Sequence, residues 1–173
     1  MAILNAQLPV AGVGSGSSSP LMHAVDLQST PETVFALLCA VEKWPVWLSF
    51  LRSARLADPG KPVGPGSEVI VRSSIPGEAE ELYEVDQYID NYMLSLVGAY
   101  SVRRRLDFRI ERKTTRSKMA VRVEYPAYGG KLAALVDRLT ARRKLSGALQ
   151  DSLLHFKGLV EYRQESDVLL ADF

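Results

Sequence analysis

The sequence has a single cysteine, Cys39, so no disulfide can form within the chain. That excludes a disulfide-stapled fold and suits a reducing compartment. Histidines number two, His23 and His155, and no Cys/His spacing of the zinc-holding kind is present. No serine, histidine and acid stand in an arrangement from which a nucleophilic triad can be proposed. No Gly-rich element of phosphate-binding type occurs. No apolar run approaches the ~20 residues needed to cross a bilayer. The first apolar residues have no basic segment ahead of them, which argues against a secretory leader. The net charge is only +1, whereas a dedicated nucleic-acid binder is usually strongly basic. These absences lead us to expect a cytoplasmic protein with no cofactor, no metal and no nucleic-acid partner.

What remains is ample material for one core. Hydrophobic residues make up 47% of 173 residues, enough for a single domain without covalent staples. Residues 12–20, Gly-Val-Gly-Ser-Gly-Ser-Ser-Ser-Pro, bury too little apolar surface to offset their ordering. We therefore expect a flexible tail over 1–20, one domain over 21–163, and a loose end over 164–173.

Partial alternation predicts a strand over Leu21–Gln28. Thr30, Pro31 and Glu32 then read as a helix start: a capping hydroxyl, a proline suited to the first turn, and an acid at the positive helix end. That helix runs to about Val41, and a second short helix is expected over Trp44–Leu51. Residues 59–66 hold three prolines and three glycines and form a loop by composition. Five strands are predicted after it, over Ser67–Ser74, Glu80–Tyr88, Tyr92–Tyr100, Val102–Arg112 and Ser117–Tyr125, with a turn at Asp90-Asn91. From Lys131 to about Tyr162 no proline interrupts a stripe of leucines, Phe156 and Val160 at helical spacing. The expected fold is α+β: a curved antiparallel sheet of six to seven strands gripping a long C-terminal helix, with two short helices after the first strand.

Three segments carry a family resemblance. They are STPETVFALLCAVEKWPVWLSFLRSARL at 29–56, with its Trp-Pro-x-Trp turn; GPGSEVIVRSS at 64–74 leading into ELYEVDQYIDNYMLSLV at 81–97; and LLHFKGLVEYR at 153–163. Together they resemble the START-like helix-grip superfamily (SRPBCC), in its polyketide cyclase/dehydrase and lipid-transport branch. Ala40 stands where many relatives carry aspartate. The resemblance implies a cavity between sheet and long helix that accepts lipids, sterols or polyketides. It implies no one reaction, because one fold hosts many activities.

Strand parity selects the residues that would line such a cavity. The expected ligand-binding set is Trp47, Ser73, Glu81, Tyr83, Tyr100, Arg104, Phe108, Tyr125, Leu149, Leu153 and Phe156. Among these Arg104 is the most informative. An inward arginine needs a partner, and Glu81 is the candidate. Such a guanidinium could anchor a ligand carboxylate, enol or phenol oxygen, or serve only as half of a structural ion pair. One of Trp44 and Trp47 is expected in the core and the other as a wall near the mouth. His155 lies beside the apolar stripe, where it could reach the mouth or simply sit in partly exposed packing. Residues 101–144 are rich in Arg and Lys, consistent with transient contact with a membrane or an acidic carrier protein, or with mutually compensating surface charge.

Three functions stay open at this level. One is binding of a small hydrophobic molecule, extending to its transfer. Another is a polyketide cyclase or dehydratase that folds a bound chain by positioning it. The third is a closed-core interaction module.

Overall fold

The computed structural model describes residues 20–74, 80–99, 104–114, 116–124 and 133–171, with side chains of the last helix from 142 to 162. The order is β1 (Leu21–Leu27), α1 (Pro31–Cys39), a single 3₁₀ turn (Val41–Lys43), α2 (Trp44–Trp47), β2 (Leu51–Leu56), β3 (Glu68–Ser73), β4 (Glu80–Ile89), β5 (Met93–Gly98), β6 (Arg105–Arg112), β7 (Ser117–Glu124) and α3 (Ala133–Ala171). The seven strands form one antiparallel sheet in the order β1-β7-β6-β5-β4-β3-β2. This is a helix-grip arrangement, with the short helices inserted between the two edge strands.

α1 begins as its sequence dictates. Thr30 is extended, its hydroxyl accepts a bond from the Thr33 N–H, and Pro31 fills the first turn. Val34, Phe35, Leu37 and Leu38 then face the core. The β4–β5 hairpin turns at Asn91, whose φ of 59° is a left-handed value that asparagine tolerates better than most residues.

α2 is shorter than expected. It stops at Trp47, and the chain turns into an additional strand, β2. β2 is an edge strand with a bulge between Leu51 and Ser53 and only Ala54 fully buried. A bulge shifts the period of two, and Arg52 and Arg55 interrupt the apolar pattern, so alternation gives no strand signal there. Tyr92, the expected first residue of the strand after the Asp90-Asn91 turn, also lies outside it, since β5 begins at Met93. It lies in the β4–β5 turn, with the Arg109 guanidinium 5.8 Å from its ring centre. The backbone of α3 continues to Ala171, beyond the expected end at Tyr162. At ~1.5 Å per residue its 39 residues span roughly 58 Å.

α3 lays Leu149, Leu153, Phe156 and Val160 onto the core. Each such side chain contributes about 1.5–3 kcal/mol by burial. Polar bonds fix its azimuth and direction. His23 Nε2 lies 2.8 Å from Ser146 Oγ, Lys157 Nζ donates to the Asp26 carbonyl at 2.8 Å, and the Gln28 N–H donates to Glu161 at 3.0 Å. Both numberings rise together along these three bonds, so α3 runs in the same direction as β1, along the strand edge that β7 leaves free. Ser152, fully buried, donates to the Ala148 carbonyl at 2.6 Å and accepts from the Ser49 N–H at 3.3 Å, tying the end of α2 to α3.

The candidate ligand site between sheet and helix

The ladder registers place the inward side chains in rows. One row runs Leu21, Val123, Leu106, Leu96, Val85. A second runs His23, Val121, Phe108, Leu94. Beyond the first row, Gly98 pairs with Tyr83, which pairs with Val69, and the Gly98 N–H donates to the Arg104 carbonyl at 2.9 Å. This concave face is apolar through its middle, where Phe108, Leu94 and Leu96 are buried.

At one end it becomes polar. Arg104 Nη1 lies 2.6 Å from Glu81 Oε1, and the Tyr83 hydroxyl donates to Glu81 Oε2 at 2.9 Å. Strand parity brings these three residues together, because Glu81 and Tyr83 are two apart on β4 and Arg104 abuts the start of β6. The ion pair is 38% and 37% exposed at its two side chains, so solvent screens it and its net stabilisation is small. Burial, and then the neighbouring Glu81 carboxylate, push the Tyr83 phenol up to about 12 against the opposing pull of Arg104. Tyr83 is thus a protonated hydrogen-bond donor at neutral pH rather than a base.

Away from this polar cluster the face is packed with aromatic rings. Trp47 is fully buried and meets Phe156 edge-on at 4.7 Å and Phe108 at 6.0 Å. Trp44 is buried as well, and its indole N–H donates to the Leu38 carbonyl at 2.8 Å. Neither tryptophan forms an exposed wall. The Trp47 N–H has no hydrogen-bond acceptor among the described residues, so a buried donor is left unsatisfied beside the two phenyl rings.

Of the eleven sequence-predicted lining residues, Phe108, Leu149, Leu153 and Phe156 belong to the core together with Trp47. Glu81, Tyr83 and Arg104 form the polar cluster. Ser73 is half-buried at the end of β3, opposite Leu51. Tyr100 and Tyr125 lie outside the described residues. His155 faces solvent on α3. Cys39 sits against the core, and burial pushes its thiol up to about 11. Sequence reasoning missed Ser152, although its position three residues after Leu149 on the buried stripe was an available signal.

The convex face is a lattice of opposite charges. Arg105 bonds Asp86 and Asp107, Arg122 bonds Glu124, and Ser95, fully buried, donates to Asp107. A cleft of about 450 Å³ lies elsewhere, lined by Leu56–Asp58, Lys61 and Pro65–Glu68, and shares no residue with the concave cluster. Among the described residues no group of His, Cys, Asp and Glu is arranged to hold a metal ion, and no helix is long and apolar enough to cross a membrane.

An apolar concave sheet face, covered by a long helix and polar at one end, is the architecture of the START-like helix-grip fold. Residues 22–161 match the family model described as polyketide cyclase / dehydrase and lipid transport, and the chain belongs to that family. No curated protein sequence matches it. Similar solved structures include TTHA0849 from Thermus thermophilus, with TM-score 0.67 and 12% identity over 82% of this chain and 97% of that one. A START superfamily protein from Mycobacterium smegmatis gives TM-score 0.62 and 15% identity over 85% and 99% of the two chains. The Aha1 dimer from Colwellia psychrerythraea gives TM-score 0.57 and 14% identity over 83% and 97%. At these identities the likeness is one of fold.

Proposed function

We propose that the protein binds a small hydrophobic molecule, such as a lipid or polyketide-like metabolite, between the concave sheet face and α3, a role that extends naturally to its transfer. The observation that carries this reading is the Tyr83–Glu81–Arg104 cluster at one end of an otherwise apolar face. Mostly apolar walls with a few placed polar groups are what a ligand site requires. Membership of a family described by polyketide and lipid chemistry supports the same class of ligand. A cytoplasmic setting fits the single, part-buried Cys39. The internally paired charges of the convex face favour compensating surface charge over a membrane or carrier-protein contact at that face.

The competing cyclase reading would use Arg104 and Tyr83 to stabilise enolate charge on a bound chain. Tyr83 as a donor fits that role, but the Glu81 carboxylate beside it is already engaged by Arg104 and by Tyr83 itself. Mass spectrometry of organic extracts from the purified protein tests the binding reading, which expects a co-purifying apolar small molecule. Arg104→Ala and Tyr83→Phe should lower its occupancy. A protein that carries nothing and takes up no apolar probe would leave only the closed-core interaction module. Turnover of a polyketide-like chain that Arg104→Ala abolishes would favour the enzyme.

A further inference from the structure

We infer that the ligand is an amphiphile with an anionic end group, a carboxylate or phosphate, and that Arg142 on α3 holds that group at the polar end of the grip. The inference rests on the binding reading above and adds the ligand's charge and its orientation.

The buried stripe of α3 changes character at one point. From Val160 back through Phe156, Leu153 and Leu149 it is apolar. Seven residues before Leu149, at about 100° per residue, position 142 falls about 20° from it on the same stripe. The residue there is arginine. It is half-buried, whereas its neighbours Arg143 and Lys144 are exposed. Within the described side chains of α3, an amphiphile lying along this stripe would meet hydrocarbon from Val160 to Leu149 and a guanidinium at position 142.

The register fixes which end this is. The His23–Ser146 bond pins the next turn of α3 to β1. Because α3 runs in the same direction as β1, Arg142 lies one turn further toward Leu21. Leu21 pairs with Val123, and Val123 with Leu106. Arg104 is two residues beyond Leu106 on that side. Arg142 and the Tyr83–Glu81–Arg104 cluster thus approach the same end, one from the helix and the other from the sheet.

Arg142 has no counter-ion among the described residues, in contrast to Arg104, Arg105, Arg112 and Arg122. Residues three and four away along the helix are Arg138, Leu139, Leu145 and Ser146, so no acid on α3 can serve. Glu81 already bonds Arg104 and Tyr83. Residues 131–144 hold five basic residues against one acid in a chain whose net charge is +1. A half-buried guanidinium without a carboxylate is poorly compensated, and its fork suits a planar carboxylate or a phosphate.

The test compares three probes with one tail, below their micelle concentrations: dodecanoate, dodecyl phosphate and 1-dodecanol. Inorganic phosphate supplies the head group alone. Calorimetry on the full chain should show at least one anionic probe binding about tenfold more tightly than the alcohol, the scale of one charge-assisted hydrogen bond. Whichever anion is preferred identifies the head-group chemistry, and inorganic phosphate alone should bind far more weakly than either. Arg142→Gln should bring the anions down to the level of the alcohol and leave alcohol binding unchanged, while Arg142→Lys keeps part of the preference. The wild-type preference should shrink as added salt screens the charge, a readout independent of whether the variants fold. Equal binding of all three probes, or a preference that Arg142→Gln preserves, overturns the inference and leaves hydrophobic binding standing. Failure of all three to bind overturns both.

Discussion

Trp44 and Trp47 are both fully buried in the same cluster against Phe108, yet their indole N–H groups have different fates. Trp44 donates to the Leu38 carbonyl at 2.8 Å, and Trp47 has no acceptor among the described residues. Substituting phenylalanine for either deletes the pyrrole part of the ring and costs about 1–2 kcal/mol in lost burial and residual cavity. Trp44→Phe also loses a buried hydrogen bond, worth about 1 kcal/mol or more. Trp47→Phe instead removes an unsatisfied donor whose burial costs about 1–3 kcal/mol, which offsets most of the packing loss. Trp44→Phe should therefore be the more destabilising, by at least about 2 kcal/mol. For a chain of this length that is a gap of roughly 4–8 °C in melting temperature. Urea titration followed by circular dichroism measures it directly. If Trp47→Phe proves as costly as Trp44→Phe, the Trp47 N–H has an acceptor in solution, and its description as an orphan is wrong.

Other expectations follow from the same geometry. Burial raises the Cys39 thiol from 9.0 to about 11, and burial with Glu81 raises the Tyr83 phenol from 10.0 to about 12. Both groups bind their protons more tightly when folded, so their stabilisation is complete below pH 9 and drains away as pH rises toward 12. Urea midpoints should fall over that window, and the Cys39→Ala, Tyr83→Phe double variant should flatten the fall; an unchanged slope would contradict the assignment. Ser152→Ala deprives the Ser49 N–H of its acceptor and should cost about 1–2 kcal/mol, whereas Ser152→Thr, which keeps the hydroxyl, should recover part of that if the extra methyl fits. A Ser152→Ala protein as stable as the parent would show that the α2–α3 tie contributes nothing.

Much of this architecture is legible in the sequence because the relevant signals are local. Thr30 and Pro31 announce α1 through capping chemistry that needs no tertiary context. The inward parity of Leu106, Phe108 and Ile110, or of Met119, Val121 and Val123, identifies the concave face. The same parity joins Glu81 to Arg104 on residue order alone. β2 is illegible for the opposite reason: it is an edge strand whose bulge and arginines erase the alternation, and only its pairing with β3 makes it a strand. Ser95 is illegible too. It is buried on the convex side of a central strand because Asp107 and Arg105 of β6 lie over it, a fact of cross-strand packing that no single segment contains.

The placing of β1 between β7 and α3 has a consequence for how the protein is made. β1 leaves the ribosome about a hundred residues before its ladder partner, since Leu21 pairs with Val123. Its other edge is met by Lys157 and Glu161, later still. A nascent chain therefore carries β1 unpartnered while the residues between it and β7 are made, with the hairpins of β2–β7 able to form ahead of it. The sheet can close along this edge only once β7 has been made, whatever has folded before it.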